Sequence, residues 1–450
     1  MRGNTAMMPK TFDIQGFVDE QKLRPIHFLV LILCFMVMFS DGFDIFMIGK
    51  IAPAIAEGFD VAPASMTIVI LLQQIGLALG AFLISPLGDI YGRKRMLVIS
   101  FALFGALTVA TAFAPSILIM AIMRGVAGLF LASVLPMAVA LVAEFTPKKS
   151  RATFIAVGMA GYSLGNVAGA VTALLVPDFG WQSGFWVGGM MPLILIPAMI
   201  AFLPESLAYR VNRDPHDAKI PLTIAKIAPE IELTGTETFI GQSHRKTGAR
   251  PSPLELIRDG RARTTAILFT TCFFSMGTIA LLAAWLPSFF LQMAGISIQD
   301  FALSAMVGLL GGIFGMLTIG TLLDRLHPTL PIPFFFTGYA IAIVSLSQVP
   351  FHSPFFIPTL FLMAMFQGGG QAGLNMVMAR VYPPFVRSTG IGWAGGAGRI
   401  GGVILPLFGG FALTSAYSLQ LTLMLVALAP IMVAILVLFL RPVETPPAPR

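Results

Sequence analysis

Charge is scarce in this chain. Asp, Glu, Lys and Arg make up 11% of its 450 residues, against roughly 25% in a soluble domain. With 56% hydrophobic residues and a mean hydropathy of +0.87, too few polar groups remain to cover a surface in water, so the solvent is lipid. Cysteine is almost missing. Cys34 and Cys272 lie in separate apolar runs, which excludes a disulfide framework and a thiolate metal site and leaves two small buried hydrophobes. There is no metal-ligand cluster, no phosphate-cradling glycine loop at a strand end and no nucleophile–base set, so neither an enzyme nor a cofactor is expected. The formal charge of +7 first suggests nucleic acid. The bases, however, gather in loops on one side of the apolar runs, as the orientation rule for cytoplasmic loops requires, so no nucleic-acid partner is expected.

Apolar runs are what the chain has in plenty. A helix needs about 20 mostly apolar residues to span the hydrocarbon core, and twelve runs qualify: near 26–48, 65–87, 96–114, 116–143, 152–175 and 184–203, then 264–290, 301–323, 331–349, 355–379, 388–413 and 417–440. The polar stretch from Pro204 to Arg263 is the seam between two halves. The expected division is a tail 1–25, a six-helix bundle 26–203, a central loop 204–263, a second bundle 264–440 and a tail 441–450. Arg93-Lys94-Arg95, Lys148-Lys149-Ser150-Arg151, Arg387 and the bases of the central loop fall on the side holding both termini. The opposite loops offer Glu57, Asp60, Asp178 and Asp300, with Lys50 the one basic exception. Both termini are therefore expected in the cytoplasm, the protein multi-pass in the cell inner membrane and functional as a monomer. The first run is too long for the apolar core of a cleaved signal, so the amino terminus is expected to stay on as a tail. Pro147, Arg151 and Thr153 recur as Pro383, Arg387 and Thr389 at one common offset, and Asp89 recurs as Asp324 at nearly the same one. Two halves related by an axis along the membrane normal give that pattern, with a central site between them.

Inside the first run lies Ser40-Asp41-Gly42-Phe43-Asp44. Its carboxylates are three residues apart and share one helix face. A charge at membrane depth is kept where it faces a bundle interior, a partner or a watery cavity. Asp41 and Asp44 thus read as the proton-handling centre of a transporter, the alternative being ion pairs that only hold helices together. Counting about 1.5 Å of rise per residue, Asp41 lies at a depth comparable to Arg124, and an ion pair between them across the first and fourth helices is expected. Arg399 falls near the midplane by the same count, among Gly395, Gly396, Gly398, Gly401 and Gly402. A guanidinium there suits a planar carboxylate through two parallel hydrogen bonds, while the glycines also permit close helix packing.

Between the second and third runs, Gly88-Asp89-Ile90-Tyr91-Gly92-Arg93-Lys94-Arg95 resembles the cytoplasmic signature of the major facilitator superfamily, Gly-Asp-x-x-Gly-Arg-Arg/Lys. Four further stretches narrow the likeness: Asp41-Gly42-Phe43-Asp44; Arg124-Gly125-x-x-Gly128 with Pro136; Glu144-Phe145-Thr146-Pro147 with Arg151-Ala152; and Tyr382-Pro383 with Arg387-Ser388-Thr389-Gly390-x-Gly392-Trp393-Ala394, continuing to Gly396-x-Gly398-Arg399-x-Gly401. With Trp285-Leu286-Pro287 and Leu203-Pro204-Glu205-Ser206, they resemble the aromatic acid:proton symporter family of that superfamily. Leu323-Asp324-Arg325-Leu326-His327 departs from the signature by lacking its glycines, and the central loop takes no part in the likeness. The resemblance implies an all-α membrane protein of twelve helices in two pseudo-symmetric bundles. It implies import of an aromatic carboxylate such as 4-hydroxybenzoate, protocatechuate or gallate together with protons. It also implies that Asp41, Asp44, Asp89, Arg124, Glu144, Arg387 and Arg399 matter for transport.

For such a substrate Arg399 is the expected carboxylate ligand, with Arg124 its competitor. Gln73, Tyr162, Gln367, Gln371 and Asn375 sit within apolar runs and suit ring hydroxyls, although bonding between helices is the commoner fate of such groups. Phe43 and Trp393 are candidates to stack on the ring. Asp89, Arg93, Glu144, Arg151, Asp324 and Arg387, at the cytoplasmic helix ends, are the gating candidates, Glu144 beside Arg151 and Asp89 beside Arg387. The competing functions are an exporter of drugs or organic anions on the same fold and a membrane receptor for aromatic acids.

Overall fold

A computed structural model describes residues 11–228, 238–240, 256–258, 260–325, 330–382, 387–415 and 417–440. Asp13 caps the short α1 (Ile14–Glu20) by accepting from the Gln15 N–H at 3.1 Å. Pro25, whose missing N–H is no loss in a first turn, opens α2 (Pro25–Gly58), and the apolar sequence carries this helix well past residue 48. After one 3-10 turn at Pro63–Ser65 comes α3 (Met66–Leu83). Gly92, at φ +105°, supplies the left-handed turn between α4 (Leu87–Tyr91) and α5 (Arg93–Thr111). The expected fourth helix is two pieces, α6 (Ile117–Leu131) and α7 (Val134–Phe145). Pro136 has no N–H for the carbonyl of Ala132, and the break falls there.

Next come α8 (Arg151–Phe179), α9 (Gln182–Phe202), α10 (Leu207–Arg213) and α11 (Lys219–Ile227). The second half holds α12 (Ala262–Ala294), α13 (Ile298–Arg325), α14 (Pro331–Gln348), α15 (Phe356–Val381), α16 (Arg387–Thr414) and α17 (Leu419–Leu438). Among the described residues, 11 spans are long and apolar enough to cross a membrane, α6 and α7 counting as one. The 26-residue α15 occupies the place of the remaining expected span. Gln367, Gln371 and the glycines between them hold it below that level of hydropathy.

The pairing of helices repeats. In the first half α2 packs on α8, α3 on α6 and α5 on α9; in the second α12 packs on α16, α13 on α15 and α14 on α17. The halves meet where α2 touches α12, α3 touches α16 and α8 touches α13. On α13, Leu310, Ile313, Phe314 and Leu317 recur at helical spacing and are exposed, a stripe that only lipid accommodates. The stretches read as a plain tail and a plain loop carry structure of their own. β1 (Thr11–Asp13) pairs in parallel with β2 (Thr238–Ile240), Phe12 opposite Phe239. On α11, Ile220, Thr223, Ile224 and Ile227 form one buried stripe. These pieces sit at the end of the bundle that carries Arg93 and Arg151, called the basic end below. The proline-rich carboxyl tail, 441–450, lies outside the described residues.

Candidate transport site

Two of the buried ionic groups lie on α2 one turn apart, and the structure separates their roles. Asp44 and Arg124 are both fully buried. Arg124 Nη1 donates to Asp44 Oδ1 at 3.0 Å and its Nη2 to Asp44 Oδ2, a two-pronged pair joining α2 to α6. Thr108 Oγ1 of α5 accepts a further bond at 3.3 Å, and the Phe185 ring of α9 lies 5.7 Å from the guanidinium carbon. The partner of Arg124 is therefore Asp44 and not Asp41, as the depth count alone suggested. Both terminal nitrogens of Arg124 are thus taken, and its Nε is buried without a partner among the described residues.

Asp41 is buried but has no hydrogen bond or ion pair among the described residues. Asp41 lies near Asp44 on its own helix and near Arg399 across the seam between the halves, and the Tyr162 hydroxyl lies near both Asp41 and Arg399. Arg399 is half-buried, and its Nη1 donates to the Leu77 carbonyl of α3 at 3.2 Å. One turn further along, Pro406 leaves the Gly402 carbonyl without its helical partner, and the Gln74 amide from α3 supplies one at 3.0 Å. Close backbone approach sets Tyr162 beside Asp41: a Cβ on Gly42 would run into the Tyr162 carbonyl oxygen, so only glycine lets α2 and α8 meet there.

The remaining expected ligands divide. Gln367 lines a cavity between the halves together with Phe46, Lys50, Asn166 and Tyr339. Gln371 accepts from Ser275 Oγ at 2.6 Å and donates to Asn375 at 3.2 Å, so these two amides bond within the second half. Gln73 is buried with its Oε1 unpartnered among the described residues. Phe43 corrects the reading: its ring packs into the first half against Gly188 of α9, not towards the seam. Trp393 is 52% exposed and takes no part in the cavity.

At the basic end Arg93 pairs with Asp89 at 3.0 Å and with Glu144, all within the first half. Arg151 does not reach Glu144; it pairs with Asp19 of α1 and donates to the Thr146 carbonyl at 3.1 Å. Sequence reasoning gave Asp19 no role, because nothing in a polar tail marks its partner. It also missed Glu205, whose carboxylate accepts from the Lys94 N–H at 2.8 Å and the Arg95 N–H at 3.2 Å, capping the start of α5. The side chains of Asp324 and Arg387 lie outside the described residues.

A family model described as the Major Facilitator Superfamily matches residues 34–354. The chain belongs to that superfamily. It is a transporter-fold, multi-pass membrane protein and not an enzyme. It is 30% identical over 429 residues to a gallate transporter from Pseudomonas putida, covering 95% of this chain and 94% of that one. It is 31% identical over 412 residues to a 4-hydroxybenzoate transporter from Pseudomonas aeruginosa, covering 89% and 90%. Among solved structures, a D-xylose–proton symporter superposes with a TM-score of 0.71 at 13% identity, over 91% of this chain and 97% of that one. The xylose transporter XylE from E. coli, partially occluded and inward-open, gives 0.70 at 12% identity, over 92% and 97%. At such identities the structural likeness speaks for the fold alone.

Proposed function

We propose that this facilitator imports an aromatic carboxylate together with protons, its halves 26–203 and 264–440 rocking about a central site. The observation that carries the reading is Asp41, a buried carboxyl with no hydrogen bond or ion pair among the described residues, near Arg399 and Tyr162 at the seam. An aromatic acid brings the anion that Arg399 lacks, and a proton on Asp41 removes the charge that would compete for that guanidinium. Asp44 has a different part: while ionised it locks Arg124, and a proton there releases α2 from α6. The similarity to gallate and 4-hydroxybenzoate transporters supports the substrate class.

The basic loops support an inner-membrane protein with both termini in the cytoplasm, and it acts as a monomer. The Asp89–Arg93–Glu144 group at that end serves gating within the first half. Import of an anion against an interior-negative potential costs about 2.3 kcal/mol per charge per 100 mV, so accumulation requires the proton. The test is uptake of labelled 4-hydroxybenzoate, protocatechuate and gallate into proteoliposomes, with Arg399→Ala alongside. Uptake of at least one acid, lost in Arg399→Ala, is the expected result. No uptake of any aromatic acid by the unmodified protein overturns the reading.

A further inference from the structure

We propose that the cavity between the halves beside Lys50 is a second binding site for the aromatic acid, with the Lys50 ammonium taking its carboxylate. The inference rests on the aromatic-acid reading above and assigns a site that the reading does not contain. Lys50 looks at first like a loop residue at the end opposite the basic loops. It is instead carried inside α2, which runs on to Gly58. Nine residues beyond Asp41, it stands about 13 Å further along the helix, so the two places are separate stations on one path.

Lys50 Nζ donates to the backbone carbonyl and to Oδ1 of Asn166, the latter at 2.8 Å, and lies 5.9 Å from the centre of the Phe46 ring. Among the described residues no carboxylate pairs with it. An ammonium has three protons to donate, and the two bonds to Asn166 leave one unused. A cation partly withdrawn from water, held in place and lacking its counter-charge, invites an anion.

The space in front of it is open rather than closed, with about 120 Å³ inside it. The acid, which is larger than the benzene that fills a closed apolar cavity of roughly 150 Å³, can therefore extend past its mouth. Ala302, Ala305, Leu360 and Met363 make most of its wall apolar. Tyr339 and Gln367 line it from the second half, and neither has a hydrogen bond to the protein among the described residues. A ring bearing a carboxylate for Lys50 and a hydroxyl for Tyr339 or Gln367 meets all three features. Phe46, whose ring stands edge-on to Tyr162 with centroids 5.7 Å apart, separates this space from the Asp41–Arg399 station.

The test is the concentration dependence of 4-hydroxybenzoate uptake into proteoliposomes for the unmodified protein, Lys50→Gln, Lys50→Arg and Ala305→Phe. The expected result is a KM at least tenfold higher in Lys50→Gln with Vmax within about twofold, and a KM in Lys50→Arg within about threefold of the unmodified protein. An unchanged KM in Lys50→Gln overturns the second site while the aromatic-acid reading stands. If Lys50→Gln loses Vmax as well, Ala305→Phe decides, because it fills the cavity and leaves Lys50 in place: a raised KM supports the site and an unaltered one overturns it. An unmodified protein that takes up no aromatic acid overturns both readings at once.

Discussion

Asp44→Asn removes one charge from the Asp44–Arg124 pair and strands the other. Arg124 then keeps one bond to the amide oxygen left at position 44, the 3.3 Å bond to Thr108 and the neighbouring Phe185 ring, and none of these is a counter-charge. Breaking a buried pair by deleting one partner costs about 3–5 kcal/mol. The reverse deletion, Arg124→Gln, should cost less, because a stranded carboxylate can take up a proton whereas a guanidinium cannot lose one. Replacing both, as Asp44→Asn with Arg124→Gln, should cost less than Asp44→Asn alone, since no charge is left behind. The free energy of unfolding in detergent, measured for the three variants as a double-mutant cycle, checks all three statements. The reasoning fails if Asp44→Asn lies within about 0.5 kcal/mol of the unmodified protein, or if the double variant shows the simple sum of the single losses.

Two further expectations follow from single contacts. Gly42→Val drives a branched side chain into the Tyr162 carbonyl, so α2 and α8 must part; a loss of about 1–3 kcal/mol is expected in the same unfolding measurement. At the basic end, burial works to raise the Asp217 carboxyl, but bonds from the Lys219 N–H at 2.9 Å and Arg210 at 2.8 Å, with the charges of Arg210 and Lys219, hold it below the ordinary value. A carboxyl depressed in the folded state stabilises above its unfolded value and loses that stabilisation as pH falls through the folded one. Hydrogen-exchange protection of α10 and α11 should therefore hold at neutral pH and weaken below about pH 4, and Asp217→Asn should abolish that weakening.

Much of the fold could be read from the residues, and the reasons for the exceptions are physical. Apolar length locates spans because the bilayer sets one length for all of them, and α15 alone fell short, through the glutamines that give it a polar face. Choosing between Asp41 and Asp44 as the partner of Arg124 needed more than depth. The two carboxylates stand about 4.5 Å apart along the axis, within the error of locating a helix end, so the rotation of α2 made the choice. Lys50 falls outside the first run because that run is counted only to Ile48. The sequence Ile51-Ala52-Pro53-Ala54-Ile55-Ala56 beyond it is as apolar as what precedes it, and that was the signal that Lys50 lies within the helix. Phe43 shares a pentapeptide with both carboxylates yet points into α9, because neighbours on a helix diverge by about 100°. Asp19 and Glu205 act across long stretches of chain, where no spacing rule connects partners.

The central claim is that a proton on Asp41 travels with the aromatic anion. It is tested most directly by accumulation of labelled 4-hydroxybenzoate in proteoliposomes carrying an imposed pH gradient, acid on the side of entry, for the unmodified protein and Asp41→Asn. The account predicts accumulation above the outside concentration, collapse of that accumulation with a protonophore, and none in Asp41→Asn. Uptake that ignores the gradient, or an Asp41→Asn variant that accumulates normally, contradicts it.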